Sequence, residues 1–225
     1  MTNGVAVIVG AGPGLGAALA RRFAAGGLQV AMAARSLEKV EEIAAGIDGA
    51  QAFACDVSDE QQVETLFAAV EAEIGPVEVA IHNASAGHGK VSVLEVDAAR
   101  FRTAWEVSAF GGFLVGRAAA RRMAERGHGS ILFTGATASL RGSSGFGAFA
   151  HGKFALRAIA QSMARELGPM GIHVGHVVVD GHIGDKDDES YLSPDAIAET
   201  YWTLHAQARS AWSFEIDLRP WLETF

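Results

Sequence analysis

The sequence predicts an α/β protein: one doubly wound parallel sheet of about seven strands with helices on both faces. Three observations predict it. Short apolar runs alternate with longer amphipathic stretches, the pattern of repeated β-α-β units. The first run passes directly into a glycine-rich turn and then into a helical pattern. No long linker, low-complexity tract or repeat breaks the alternation, so the 225 residues read as a single domain, 1–225.

Taken in order, Val5–Val9 is the first strand, and Gly10-Ala11-Gly12-Pro13-Gly14-Leu15-Gly16 turns it into the first helix. Gln29–Ala33 and Gln51–Cys55 are the second and third strands. Ser58-Asp59-Glu60-Gln61 resembles a helix start, a cap residue with Gln three positions on. Val63, Leu66, Phe67, Val70 and Ile74 then recur at steps of three and four, which puts them on one helical face. Val77–His82 and Ser130–Thr134 are the fourth and fifth strands. Leu156, Ile159, Ala160, Met163 and Leu167 have helical spacing, and Gly168-Pro169 closes that helix. His173–Val179 is the sixth strand. Ser193-Pro194 reads as a cap with proline at the first helical position. Ser213–Leu218 alternates Phe214, Ile216 and Leu218, which suits a seventh, edge-like strand.

Composition narrows the function. Eighteen Lys plus Arg against 26 Asp plus Glu leave a formal charge of −8, which argues against nucleic acid and against a polybasic membrane anchor. With 49% hydrophobic and 20% charged residues, the chain suits a large core and not disorder. No apolar run reaches the roughly eighteen residues of a membrane span. The start lacks the basic stretch and cleavage site of a signal peptide. Cys55 is the sole cysteine, so an internal disulfide and a Cys-based zinc site are ruled out, and a reducing cytoplasm is the expected location.

The glycine turn points to chemistry. Gly10 permits the tight turn, while Gly14 and Gly16 let backbone approach a diphosphate and the helix pack close to the strand. A diphosphate would then meet the N–H groups at the helix N-terminus, where the dipole favours anions. An ordinary left-handed turn is the plainer alternative; the strand before and the helix after favour dinucleotide binding. After the second strand stands Ala34-Arg35-Ser36, with Lys39 one turn on and no carboxylate to hold a ribose 2′-hydroxyl. Arg35 can pair with a 2′-phosphate, so NADP(H) is favoured over NAD(H); a solvated loop charge is the alternative.

At this point the chain resembles the short-chain dehydrogenase/reductase family, from about Val5 to Leu218. The glycine turn has the family's spacing, with Val9 in place of its leading Thr. Asp56-Val57 resembles the pair that holds adenine. His82-Asn83-Ala84-Ser85 resembles the Asn-Asn-Ala-Gly segment. Phe149-Ala150-His151-Gly152-Lys153 stands at the Tyr-x-x-x-Lys position. Gly181 and Ile183 match the loop that contacts the nicotinamide, with Asp180 where the family has Pro. The resemblance implies a Rossmann fold and a cofactor-binding set of Gly10, Gly12, Gly14, Leu15, Gly16, Arg35, Ser36, Asp56, Val57, Asn83, Ala84, Lys153, Gly181 and Ile183. It also implies four catalytic positions: Lys153, Phe149 for the usual Tyr, Ala136 for the Ser and Ser108 for the Asn.

Only Lys153 of the four survives, so the implied activity is NADP(H)-dependent hydride transfer to or from a small neutral carbonyl or alcohol with altered catalytic residues. The alternative is a catalytically silent nucleotide-binding module. Losing a general acid typically costs about 10²–10⁴-fold in rate. Thr137, Ser143, Ser144, His88, His182 and Tyr191 are candidate substitutes, while His151 faces away around the helix. His173 and His176 point to opposite faces of a strand and are read as structural, so no metal is predicted. Cys55 is read as core. Trp202 is read as packing a helix on the sheet, and Trp212 and Trp221 as burying a C-terminal segment. The acidic run 185–189, in the family's substrate loop, is read as a solvated charge run. The resemblance implies a homodimer or homotetramer, with Ala118-Ala119-Ala120 and Gly145–Gly152 permitting close packing. The same small residues could instead pack on the sheet.

Overall fold

A computed structural model of the chain describes residues 4–184 and 190–222. Seven strands form one parallel sheet: β1 (Val5–Val9), β2 (Gln29–Ala34), β3 (Ala50–Ala54), β4 (Val77–His82), β5 (Gly129–Ala136), β6 (Ile172–Val179) and β9 (Glu215–Leu218). Their order across the sheet is β3-β2-β1-β4-β5-β6-β9. The chain therefore leaves β1 in one direction for β2 and β3, then returns to its other side for β4. That reversal opens a crevice beyond the carboxyl ends of β1 and β4. The seven-stranded parallel sheet agrees with the expectation, and the edge strand predicted at 213–218 pairs in parallel with β6 over 215–218.

Every residue of β1 and β6 is buried, as a strand covered on both faces requires. Alternate residues feed two cores. Val5, Val7 and Val9 join Phe67, Leu114, Phe133 and Leu156, beneath α3 (Glu60–Glu73), α5 (Gly111–Arg126) and α6 (Gly147–Leu167). Ala6 and Ile8 join Leu19, Phe23, Met32 and Tyr201, beneath α1 (Leu15–Ala25), α2 (Leu37–Ala44) and α7 (Pro194–His205). Each fully buried Phe or Leu contributes roughly 1.5–3 kcal/mol of transfer free energy.

Several expectations are corrected. The cap of α3 is Asp59, whose carboxylate accepts from the backbone N–H of Gln61 at 2.9 Å and Gln62 at 3.1 Å; Ser58 instead donates its hydroxyl to Asp56 at 2.6 Å. Ser193 occupies the cap position of α7 ahead of Pro194 but makes no side-chain capping bond. Strict alternation of strand and helix fails near the C-terminal end, where β7 (His182–Ile183) and β8 (Tyr191–Leu192) form a small parallel pair of their own. Trp221 is 74% exposed and buries nothing. Trp202 packs α7 against α1, edge-on to Phe23 at 5.5 Å with the Arg22 guanidinium over its face. Trp212 stacks on His173 at 4.8 Å. Ala118 and Ala119 lie in the core, so they pack on the sheet and not on an outer face. The acidic run 185–189 lies outside the described residues. No helix among the described residues is long and apolar enough to cross a membrane.

Ahead of α5 the chain runs through α4 (Ala98–Trp105) and a single π turn, Glu106–Phe110. Gly152 of α6 presses on the end of α4 and on that turn: a Cβ there would sit 2.7 Å from the Ala104 carbonyl oxygen and 3.2 Å from the Ser108 Cβ. This close approach seats α6 beside the carboxyl end of β5.

Candidate functional site

A cleft of about 1320 Å³ opens along the carboxyl ends of β1, β2, β4, β5 and β6. It is larger than the roughly 300–1,000 Å³ of a drug-sized site, and so can hold a dinucleotide with a second small molecule. At its floor the glycine turn leaves β1. Gly10 has φ +91°, and a Cβ there would strike the Ala84 backbone nitrogen at 2.3 Å. Gly16 packs the start of α1 on the turn, its would-be Cβ 2.8 Å from the Ala11 Cα. Around Gly12 and Gly14 a Cβ would meet nothing within 4 Å. Two of these glycines are therefore needed by the fold, and two face open space at the first turn of an eleven-residue helix. That open backbone fits a diphosphate.

Beside the glycine turn, Arg35 is exposed on the cleft wall at the end of β2, and no hydrogen bond or ion pair engages its guanidinium among the described residues. Ser36 is the exposed cap residue of α2 and does not reach the wall. Asp56 and Val57 do reach it. The Asp56 carboxylate accepts from the Ser58 backbone at 3.0 Å, and its own N–H donates to Gln62 Oε1 at 2.9 Å, which fixes the loop after β3. Cys55, on the same wall, is only 2% exposed; burial first, then Asp56 and Asp59, pushes its thiol up to about 12. It is a core residue and a poor nucleophile.

A hydrogen-bonded chain ties the middle strands together. Asn83 Nδ2 donates to the Gly10 carbonyl at 3.0 Å. Thr134 Oγ1 donates to Asn83 Oδ1 at 3.0 Å, and the Tyr201 hydroxyl donates in turn to Thr134 at 2.7 Å. Burial raises the Tyr201 phenol, which keeps it neutral as a donor. Asn83 thus pins the glycine turn from the strand across the crevice, and Ala84 beside it lines the cleft.

The Lys153 ammonium is 2% exposed and donates to the Thr134 carbonyl at 2.7 Å. Burial pulls its pKa down to about 8. One helical turn earlier, the half-buried ring of Phe149 lies in the cleft wall 5.8 Å from the Lys153 Nζ. Ala136, at the end of β5, also lines the cleft, and its N–H donates to the Ser139 hydroxyl at 3.1 Å. Ser108 is wholly buried in the π turn and stays behind the wall, its hydroxyl 3.5 Å from that of Ser85. The Ser108 carbonyl accepts from His82 Nε2 at 3.1 Å. Full burial, then the Lys153 charge, lowers the His82 pKa to about 3, with the bond to Ser108 opposing, so this imidazole stays neutral.

On the β6 side, Gly181, His182 and Ile183 line the cleft. Thr137 donates its hydroxyl to the buried Asp180 carboxylate, whose other oxygen pairs with Arg219 Nε at 3.3 Å. The pairing with Arg219, from beyond the last strand, had no signal in the sequence beyond the unusual Asp before Gly181. His151 turns away from the cleft, as its position predicts, and stacks on Phe101 at 3.8 Å. His173 and His176 take separate partners, Trp212 and the Glu215 carboxylate at 2.9 Å. The structure thus gathers Gly10, Leu15, Arg35, Asp56, Val57, Asn83, Ala84, Ala136, Phe149, Lys153, Gly181 and Ile183 on one cleft, and leaves Gly12, Gly14, Ser36, Ser108 and the buried Gly16 off its wall.

A family profile described as short chain dehydrogenase matches residues 4–182. The chain is 30% identical over 197 residues to a 2,5-dichloro-2,5-cyclohexadiene-1,4-diol dehydrogenase of Sphingobium indicum, covering 87% of this chain and 78% of that protein. It superimposes on a short-chain dehydrogenase from Rhodopseudomonas palustris with TM-score 0.88 and 42% identity, over 97% of this chain and 99% of the other. An alcohol dehydrogenase from the archaeon Thermococcus sibiricus, solved with 5-hydroxy-NADP, gives TM-score 0.88 at 27% identity over 98% of both chains.

Proposed function

This chain belongs to the short-chain dehydrogenase family, and from that premise we propose that it is an NADP(H)-dependent oxidoreductase with altered catalytic residues, acting on a small neutral carbonyl or alcohol. The nucleotide-binding unit spans 1–225. The observation that carries the reading is one cleft lined both by Gly10, Ala11 and Leu15 of the glycine turn, next to open backbone at Gly12 and Gly14, and by a buried lysine.

On this reading the amides around Gly12, Gly14 and Leu15 hold the diphosphate, with Gly10 and Gly16 shaping the turn. Arg35 takes the ribose 2′-phosphate, since its guanidinium has no other partner among the described residues. Asp56 and Val57 border the adenine. Asn83 and Ala84 support the ribose side, Lys153 holds the nicotinamide ribose, and Gly181 and Ile183 abut the ring. The bound nicotinamide supplies the hydride donor or acceptor. Phe149, Ala136 and Ser108 stand at the family's Tyr, Ser and Asn positions. Phe149 fills the volume of a tyrosine but holds no ionisable proton, and Ala136 offers no hydroxyl to a developing oxyanion.

Those same three residues favour a second reading, a nucleotide-binding protein without turnover. NADPH oxidation across a panel of small carbonyls, with Lys153→Ala as control, separates the two. Turnover lost in the variant supports the oxidoreductase. Nucleotide binding with no turnover on any carbonyl supports the silent module. We place the protein in the cytoplasm as a homodimer or homotetramer with a small-molecule substrate and no nucleic-acid, membrane or metal partner. Phe101 and Trp105 of α4 and Phe154 of α6, each 42% exposed, offer an apolar face for assembly.

A further inference from the structure

The loop after β4 delivers to the cleft a titratable side chain that none of these roles uses. His88 sits between Gly87 at φ +83° and Gly89 at φ +92°. Only glycine suits position 87, where a Cβ would lie 2.7 Å from the Ala104 Cβ. Arg100 of α4 clamps the loop, its Nη2 donating to the carbonyls of His88 at 2.5 Å and Gly89 at 3.3 Å. The α4 cap holds Arg100 in turn: Asp97 Oδ1 accepts its backbone N–H at 2.7 Å. The loop is thus held so that the imidazole packs on Phe149, ring centroids 4.7 Å apart at 41°. Lys153 approaches the same Phe149 ring.

The other candidate donors are placed less well. Thr137 gives its proton to Asp180. His182 lines the cleft and is exposed, as His88 is, but its ring pairs with Tyr191 at 5.8 Å where that of His88 packs on Phe149. Ser143 also lines the cleft, from an exposed turn closed by its carbonyl accepting from Phe146, without the side-chain clamp that Arg100 gives the His88 loop. Ser144 and Tyr191 do not reach the cleft wall.

We propose that His88 is the acid–base residue of this site, performing the proton transfer for which Phe149 has no group; this rests on the oxidoreductase reading above. In the oxidative direction the carbinol C–H bond breaks and its electron pair leaves as hydride to the oxidised nicotinamide. The O–H proton passes to the imidazole as C=O forms. In reduction the imidazolium returns that proton to the new alkoxide. Burial, then the positive charges of Lys153 from α6 and Arg100 from α4, hold the His88 pKa below its ordinary value. A neutral imidazole at pH 7 is the base that alcohol oxidation requires.

The test uses the full chain, NADP⁺ and a panel of small secondary alcohols. His88→Gln is expected to bind NADPH as the wild type does while its kcat for oxidation falls about 10²–10⁴-fold. The wild-type profile of kcat against pH should lose activity on the acid side through a group below 6.5, and the variant should lack that limb. In His88→Ala, added imidazole should restore turnover, which a purely structural role would not produce. Independently of activity, the NMR resonance absent from His88→Gln should titrate below 6.5 and move upward in Lys153→Met. Unchanged kcat in His88→Gln, absence of imidazole rescue, or a wild type that binds nucleotide yet oxidises no alcohol overturns the proposal. Failure of the wild type to bind either nucleotide overturns the oxidoreductase reading as well.

Discussion

Two single methyl groups should separate what the fold needs from what the nucleotide needs. In Gly12→Ala the new Cβ enters space with no atom within 4 Å. The fold should be unchanged or gain roughly 0.4–1 kcal/mol, because alanine restricts the unfolded chain. That methyl would stand where a diphosphate oxygen must approach the backbone. Losing one charge-assisted hydrogen bond is worth about 1.5–3 kcal/mol, so Kd for NADPH should rise roughly 10- to 150-fold. Gly16→Ala acts the other way. Its Cβ would lie 2.8 Å from the Ala11 Cα and 3.1 Å from the Ala11 carbonyl carbon, both backbone atoms, so α1 must move. Overpacking of this kind costs about 1–3 kcal/mol, a Tm lowered by roughly 2–12 °C in a chain of this size. Thermal melts with and without NADPH, together with titration calorimetry, read both quantities. Gly12→Ala protein with wild-type Tm and wild-type affinity would refute the assignment of the turn as a phosphate cradle.

Arg35→Ala should weaken NADPH binding about 10- to 100-fold and leave NADH within a factor of about two, since only the former carries the phosphate; equal losses for both nucleotides would remove Arg35 from that role. Lys153 has a folded pKa of about 8 against 10.5 for the free group, so unfolding takes up a proton between those values. Wild-type stability relative to Lys153→Met should therefore be lowest below pH 8 and rise by about 3 kcal/mol towards pH 10.5, as denaturant melts across that window would report; a flat difference would contradict a buried, desolvated amine. Cys55 should resist iodoacetamide in the native protein at pH 7.5 and react only on unfolding; rapid stoichiometric labelling would show the thiol to be accessible.

The sheet was legible because strands buried on both faces write continuous apolar runs such as Val5–Val9, and because helices covering them keep a 3.6-residue period. Boundaries slipped by a residue or two where pairing, and not composition, ends a strand: β5 extends to Ala136 because it stays in register with β6 as far as Val179. The α3 cap was misplaced because two adjacent polar residues compete, and Asp56 draws Ser58 away. The β7–β8 pair is two residues long on each strand, too short to print a period. The glycine turn was legible because glycine has a backbone meaning that a single sequence displays. Contacts made across the fold were not: the Asp180–Arg219 pair and the packing of His88 on Phe149 join residues far apart in the chain. The alanines at 118 and 119 left two readings open in the sequence because small residues serve equally to admit a partner and to let a helix approach its own sheet, and their place in the core shows the second.

The central claim is that the cleft binds a nicotinamide dinucleotide and that Arg35 recognises its additional phosphate. Calorimetric titration of the purified chain with NADPH and, separately, NADH addresses it without reference to any substrate. The account predicts one site per chain for NADPH, with affinity at least about tenfold above that for NADH. Absence of heat with both nucleotides would contradict it, and tighter binding of NADH would contradict the role given to Arg35.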